Sequence, residues 1–86
     1  MTDEFTSTQF LLDRVGDKTV STVNLGPALV AQHGFAYETM IFSRKRDEFV
    51  NSGPFYWKTE DEARTGHNAI KHHEEMHWLY MMGAHY

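Results

Sequence analysis

The sequence predicts a small α+β domain, a sheet of three to four antiparallel strands with one C-terminal helix packed on it. Three observations predict it. Two β-like runs flank a glycine turn near the start, a third run alternates in its side chains, and the last third opens on a helix-capping motif.

The first run is Phe10 to Val15 and the second Thr19 to Leu25, with Gly16-Asp17-Lys18 between them. The second run is rich in β-branched residues, and Gly16-Asp17 supplies the positive-φ geometry of a hairpin turn. Gly26-Pro27 ends that strand, because proline cannot donate to a ladder. Ala28 to Gly34 reads as a loop that could form a helical turn, too short for a stable helix of its own. Phe35 to Ser43 is the clearest strand. Alternation sets Ala36, Met40 and Phe42 on one side and Phe35, Tyr37 and Ile41 on the other, as in a central strand.

Arg44 to Pro54 reads as polar connecting chain, closed by an Asn51-Ser52-Gly53-Pro54 turn. Phe55-Tyr56-Trp57-Lys58 follows as a short aromatic strand. Thr59-x-x-Glu62 fits a capping box, and Glu60, Asp61 and Glu62 complement the positive end of a helix dipole. The helix is expected to run to about Tyr80 and to stop at Gly83. Ala63, Ile70, His77 and Met81 share one side of it, with His67 and Glu74 nearby. Gly66, costly inside a helix, is expected to let that helix approach the sheet closely. Residues 1–8 are expected to be a flexible N-terminus, 9–82 the single domain and 83–86 a tail.

Composition narrows the function. The 86 residues carry 8 basic and 12 acidic side chains, a net charge of −4, which argues against nucleic acid as the main partner. The one basic cluster, Arg44-Lys45-Arg46, runs straight into Asp47-Glu48 and reads as a solvated loop. No apolar run approaches the roughly 20 residues needed to cross a bilayer. The absence of cysteine suits a reducing cytoplasm, and the acidic N-terminus is unlike a signal peptide.

The sharpest chemical motif is His73-Glu74-Glu75-Met76-His77, a literal H-E-x-x-H. On a helix it sets His73 and His77 one turn apart, where both imidazoles can ligate zinc, with Glu74 placed to polarise a bound water. A catalytic zinc needs a third protein ligand and an open position. The extended protease motif would put glycine at position 80 and histidine at 83, where this chain has Tyr80 and Gly83. His85 lies beyond the expected helix end. A zinc-binding protein or minimal metallohydrolase using Glu74 with His73, His77 and His85 therefore stands as the alternative reading. The leading expectation has no catalytic residues and no cofactor.

Three segments together resemble a group of short bacteriophage-encoded proteins of unassigned function. They are Val20-Ser21-Thr22-Val23-Asn24-Leu25, Tyr37-Glu38-Thr39-Met40-Ile41-Phe42 and Thr59-Glu60-Asp61-Glu62-Ala63-Arg64-Thr65-Gly66-His67. The resemblance covers Val20 to His67, about half the chain. It implies a viral or prophage accessory protein made in the cytoplasm of a bacterial host cell, and no particular reaction. The expected function is non-enzymatic, by protein–protein binding to a host or viral partner. The expected contact residues are Phe55, Tyr56, Trp57, Trp78 and Tyr80, since Tyr and Trp carry a large share of binding energy. A homodimer through an exposed strand or the apolar tail is a further expectation.

Overall fold

Gly16, at φ 61°, reverses the chain within two residues. That joins β1 (Thr8–Val15) to β2 (Lys18–Asn24), with Val15 paired to Lys18 across the turn. The computed structural model describes residues 7–45 and 48–81. After β2 come α1 (Pro27–His33), β3 (Tyr37–Lys45), β4 (Glu48–Trp57) and α2 (Glu60–Met81). Each strand pairs antiparallel with the next in the order β1-β2-β3-β4, and α2 crosses one face in contact with all four. This is the architecture the sequence predicts. Thr8, expected in the flexible N-terminus, is the first residue of β1.

The expectation needs three corrections. Ala28 to Gly34 is not a loop, because α1 occupies it. Pro27 at the first helical turn has its φ already set, and Gly34 closes the helix in the left-handed region at φ 75°. Arg44 and Lys45 belong to β3, paired with Phe49 and Glu48, and are not part of a loop; Arg46 and Asp47 lie outside the described residues. Asn51 to Pro54 is not a turn but a bulge inside β4. Thr39 pairs with Phe55 while Ile41 pairs with Ser52, so β4 carries one residue more than β3 over this stretch. Gly53, at φ 108° and joined to Pro54 by a cis peptide, takes the bend there.

Thr59 caps α2 as the sequence predicts. Its Oγ1 accepts the Glu62 amide at 3.1 Å, and Glu62 Oε2 accepts the Lys58 amide at 3.2 Å. The expected stop at Gly83 lies outside the described residues. The buried stripe of α2 is rotated from the expected one. Ala63, His67 and Glu74 are buried while His77 is exposed, because the first three find partners on the sheet. Among the described residues the fully buried apolar side chains beneath it are Val15, Val20, Leu25, Ile41 and Ala63.

Two glycines set how closely α2 sits on the sheet. A Cβ on Gly66 would lie 2.3 Å from the Trp57 ring, and one on Gly16 would lie 2.4 Å from Trp78. Each tryptophan thus rests on a position without a side chain. Helix propensity alone makes Gly66→Ala stabilising by about 1 kcal/mol. The clash with an indole hydrogen-bonded in place outweighs that gain, at roughly 1–3 kcal/mol. Denaturant unfolding of Gly66→Ala should therefore show a net loss of stability with a changed tryptophan fluorescence. A gain would mean that Trp57 does not pack against this turn of the helix.

Candidate functional site

The most constrained chemistry lies inside the two layers. On β2 the alternation Lys18, Val20, Thr22 faces α2, and on β3 so does Tyr37, Thr39, Ile41, which puts two threonines in the middle of an apolar face. Both are fully buried, as is His67 above them on α2. Buried hydroxyls and imidazoles cost free energy unless they are bonded, and here each one is.

Trp57 donates its indole N–H to Thr39 Oγ1 at 2.9 Å. The Thr39 and Thr22 hydroxyls are in hydrogen-bond contact, Thr22 Oγ1 lies 2.7 Å from His67 Nδ1, and His67 Nε2 lies 2.8 Å from Asp13 Oδ2. An indole N–H can only donate, and an ionised carboxylate can only accept. In the neutral tautomer with its hydrogen on Nε2, His67 donates to Asp13, Nδ1 accepts from Thr22, and Thr22 accepts from Thr39. Every donor in the string then has an acceptor. Lys71 Nζ, 3.5 Å from Asp13 Oδ1, lies beside the open end.

A hydroxyl, an imidazole and a carboxylate in series are the groups of a nucleophilic triad. Their placement here is structural. Thr22 has no exposed surface, and its hydroxyl lies between Thr39 and His67. The string joins one residue from each of β1, β2, β3, β4 and α2, which positions the helix on the sheet. The hydrogen bond from His67 holds the Asp13 carboxyl below its ordinary value of 3.8, against partial burial and with help from Lys71.

The H-E-x-x-H residues divide between the two sides of α2. Glu74 is buried toward the sheet, and its Oε2 accepts from Lys18 Nζ at 2.8 Å. His73 and His77 face solvent. Among the described residues no three His, Cys, Asp or Glu side chains come together as a metal site, and His85 lies outside them. Nor is any helix among them long and apolar enough to cross a membrane.

The four expected contact aromatics whose side chains are described, Phe55, Tyr56, Trp57 and Trp78, do not form one surface. Trp57 is half-buried at the start of α2, packed on Gly66. Trp78 lies about 18 Å further along the helix by its rise, over Gly16. Tyr56 points to the opposite face of the sheet, where His33 and Phe35 stack on it with centroids 5.6 and 5.5 Å away. Phe55 is exposed beside the β4 bulge, and the Tyr80 side chain lies outside the described set. Beside Trp57 a groove of about 450 Å³ opens between β4 and the first turns of α2, lined by Trp57, Asp61, Glu62, Thr65, Gly66 and Ala69.

The sequence pattern marks Thr39 only as a strand residue open to a structural or a functional role, and does not mark Asp13 or Thr22. The available signal was period two. Thr22 and Thr39 sit two residues from Val20 and Ile41, so each had to share a core face and needed a polar partner there.

Thr22→Val keeps the shape but leaves the Thr39 hydroxyl without an acceptor and His67 Nδ1 without a donor. It should cost about 2–4 kcal/mol in denaturant unfolding, more than a typical surface substitution. Asp13 gives a pH signature. Its folded pKa is depressed, so its contribution is complete above the unfolded value near 3.8 and is lost as pH falls through the lower folded value. Asp13→Asn should flatten the acid limb of the stability profile below about pH 4, and an unchanged limb would remove Asp13 from the string.

No family model, curated protein or solved structure matches the chain.

Proposed function

We propose that this chain is a small non-enzymatic accessory protein of the bacteriophage kind, which works by docking on a host or viral protein. The observation that carries the reading is the groove beside Trp57. Its floor is an indole already held by Thr39 and Gly66, so little side-chain entropy remains to be lost when a partner arrives. Its rim includes Asp61 and Glu62 in the first turn of α2. An aromatic floor with acidic walls suits an arginine or lysine side chain, which gains a cation–π contact and charge attraction together. The groups that could have supplied catalysis have structural partners: His67 is bonded to Thr22 and Asp13, and Glu74 to Lys18.

The double variant Asp61→Lys, Ala69→Arg reverses one wall and fills the groove, and both positions are exposed on α2. Binding to a partner captured from a bacterial host lysate should weaken at least about tenfold, a change of about 1.4 kcal/mol. Equal capture by the double variant would move the contact away from Trp57.

A second reading is favoured by one observation, the exposure of His73 and His77 one turn apart on α2. These supply two of the four ligands that tetrahedral zinc takes. Zinc bound to them should therefore be lost on dialysis, as read by mass spectrometry of the untagged protein. About one zinc per chain retained after dialysis and lost in His77→Ala would replace the docking reading with a metal site.

A further inference from the structure

The string that ends on Trp57 connects the floor of the groove to a titratable ring, and its hydrogens can be counted. Five side chains in line leave four gaps: Trp57 to Thr39, Thr39 to Thr22, Thr22 to His67 and His67 to Asp13. With His67 neutral, the indole, the two hydroxyls and one ring nitrogen supply four hydrogens, one for each gap. A second hydrogen on the imidazole makes five for the same four gaps. Nδ1 then donates to Thr22, and Thr22 turns its own hydrogen toward Thr39. The Thr39 hydroxyl is left facing the indole N–H, donor against donor. Thr22, Thr39 and His67 have no exposed surface, so water does not take the surplus hydrogen among them. Trp57 is half-buried and borders the groove, which makes it the member of the string free to give way.

We propose that His67 makes the groove sensitive to pH: a second hydrogen on its ring reverses the string, deprives the Trp57 indole of its acceptor and weakens docking. The proposal rests on the docking reading of that groove and adds its regulation. The charges that face His67 come from several elements. β1 supplies Asp13, and the hydrogen bond from His67 holds its carboxyl below the ordinary 3.8. Asp13 therefore stays ionised throughout the range in which imidazole ordinarily changes charge. β2 supplies Lys18, paired at 2.8 Å with Glu74 of α2. β3 supplies Tyr37, whose ring packs on Phe10, and β4 supplies the uncharged Trp57. α2 itself adds Lys71, 3.5 Å from Asp13 Oδ1, and Arg64, paired with Glu60 at 3.3 Å. Of these charges only Asp13 is bonded to the ring, at Nε2. The added hydrogen thus goes to Nδ1, on the side of the threonines.

The test is NMR on the whole chain from about pH 8 to about pH 5, following the His67 ring and the Trp57 indole N–H. The indole signal should shift with the same midpoint as the ring. Thr22→Val interrupts the string and should abolish that shift. His33→Asn removes the imidazole stacked on Tyr56, beside Trp57 in β4, and should leave the shift in place. Binding of the captured partner should weaken at least about tenfold between about pH 7.5 and about pH 5.5, as one unpaired buried donor would produce. A His67 ring that titrates while the indole signal stays still would overturn the inference. So would a ring that gains no hydrogen down to about pH 5, or an indole shift that survives Thr22→Val or is lost in His33→Asn. Should Thr22→Val fail to fold, the wild-type comparison of ring and indole decides. A responsive indole with a partner bound equally at both pH values would overturn the link to docking. Capture of no partner at any pH would instead overturn the reading on which that link rests.

Discussion

The string from Trp57 through Thr39, Thr22 and His67 to Asp13 is the constraint on which the rest of the fold depends. It draws one residue from each strand and one from α2. Apolar contacts are non-directional and accept many arrangements of similar volume. A donor-to-acceptor string does not. Sliding β2 by one residue against β3 would turn the two threonines to opposite faces, and rotating α2 by one position would carry His67 off its partners. Each error would leave buried polar groups unbonded at about 1–3 kcal/mol apiece. Register and helix placement are thus specified by this polar line as well as by apolar packing.

The two tryptophans extend the same logic to the ends of the helix. Trp57 lies under Gly66 and Trp78 over Gly16, so close approach at both ends is secured by glycine opposite a large ring. Lys18 and Glu74 add an ion pair between the hairpin and the middle of α2. That contact also accounts for the place of Glu74 within the His-Glu-x-x-His motif. Helical spacing did set His73 and His77 on a common side, but it brought Glu74 to the sheet.

Much of the fold was legible because it rests on local signals. Gly16-Asp17 marks the hairpin, alternation marks β3, and Thr59 with Glu62 marks the start of α2. The misreadings share a physical cause. Asn51 to Pro54 has the composition of a turn, but glycine and proline serve a bulge as readily, and only pairing with β3 distinguishes the two. α1 is a short helix made viable by Pro27 and Gly34 at its ends. The expected stripe of α2 is partly polar and centred on His77, whereas His67 and Glu74 are the polar residues that go inside, because Thr22, Asp13 and Lys18 meet them there. Partners brought together across 45 to 56 positions of sequence leave no local trace.

The bulge in β4 gives the strand two phases. Before it Ser52 is aligned with Ile41, and after it Phe55 is aligned with Thr39 and Trp57 with Tyr37. The extra residue at this point decides which of two adjacent aromatics, Tyr56 or Trp57, looks inward. Losing one residue here would not shorten a connection but exchange the sheet's two sides beyond that point. The indole would move to the outer surface and a phenol would stand beneath α2. In this strand, length is information: an insertion or deletion of one would act as a frameshift in three dimensions, whereas the same change in a surface loop would pass almost unnoticed.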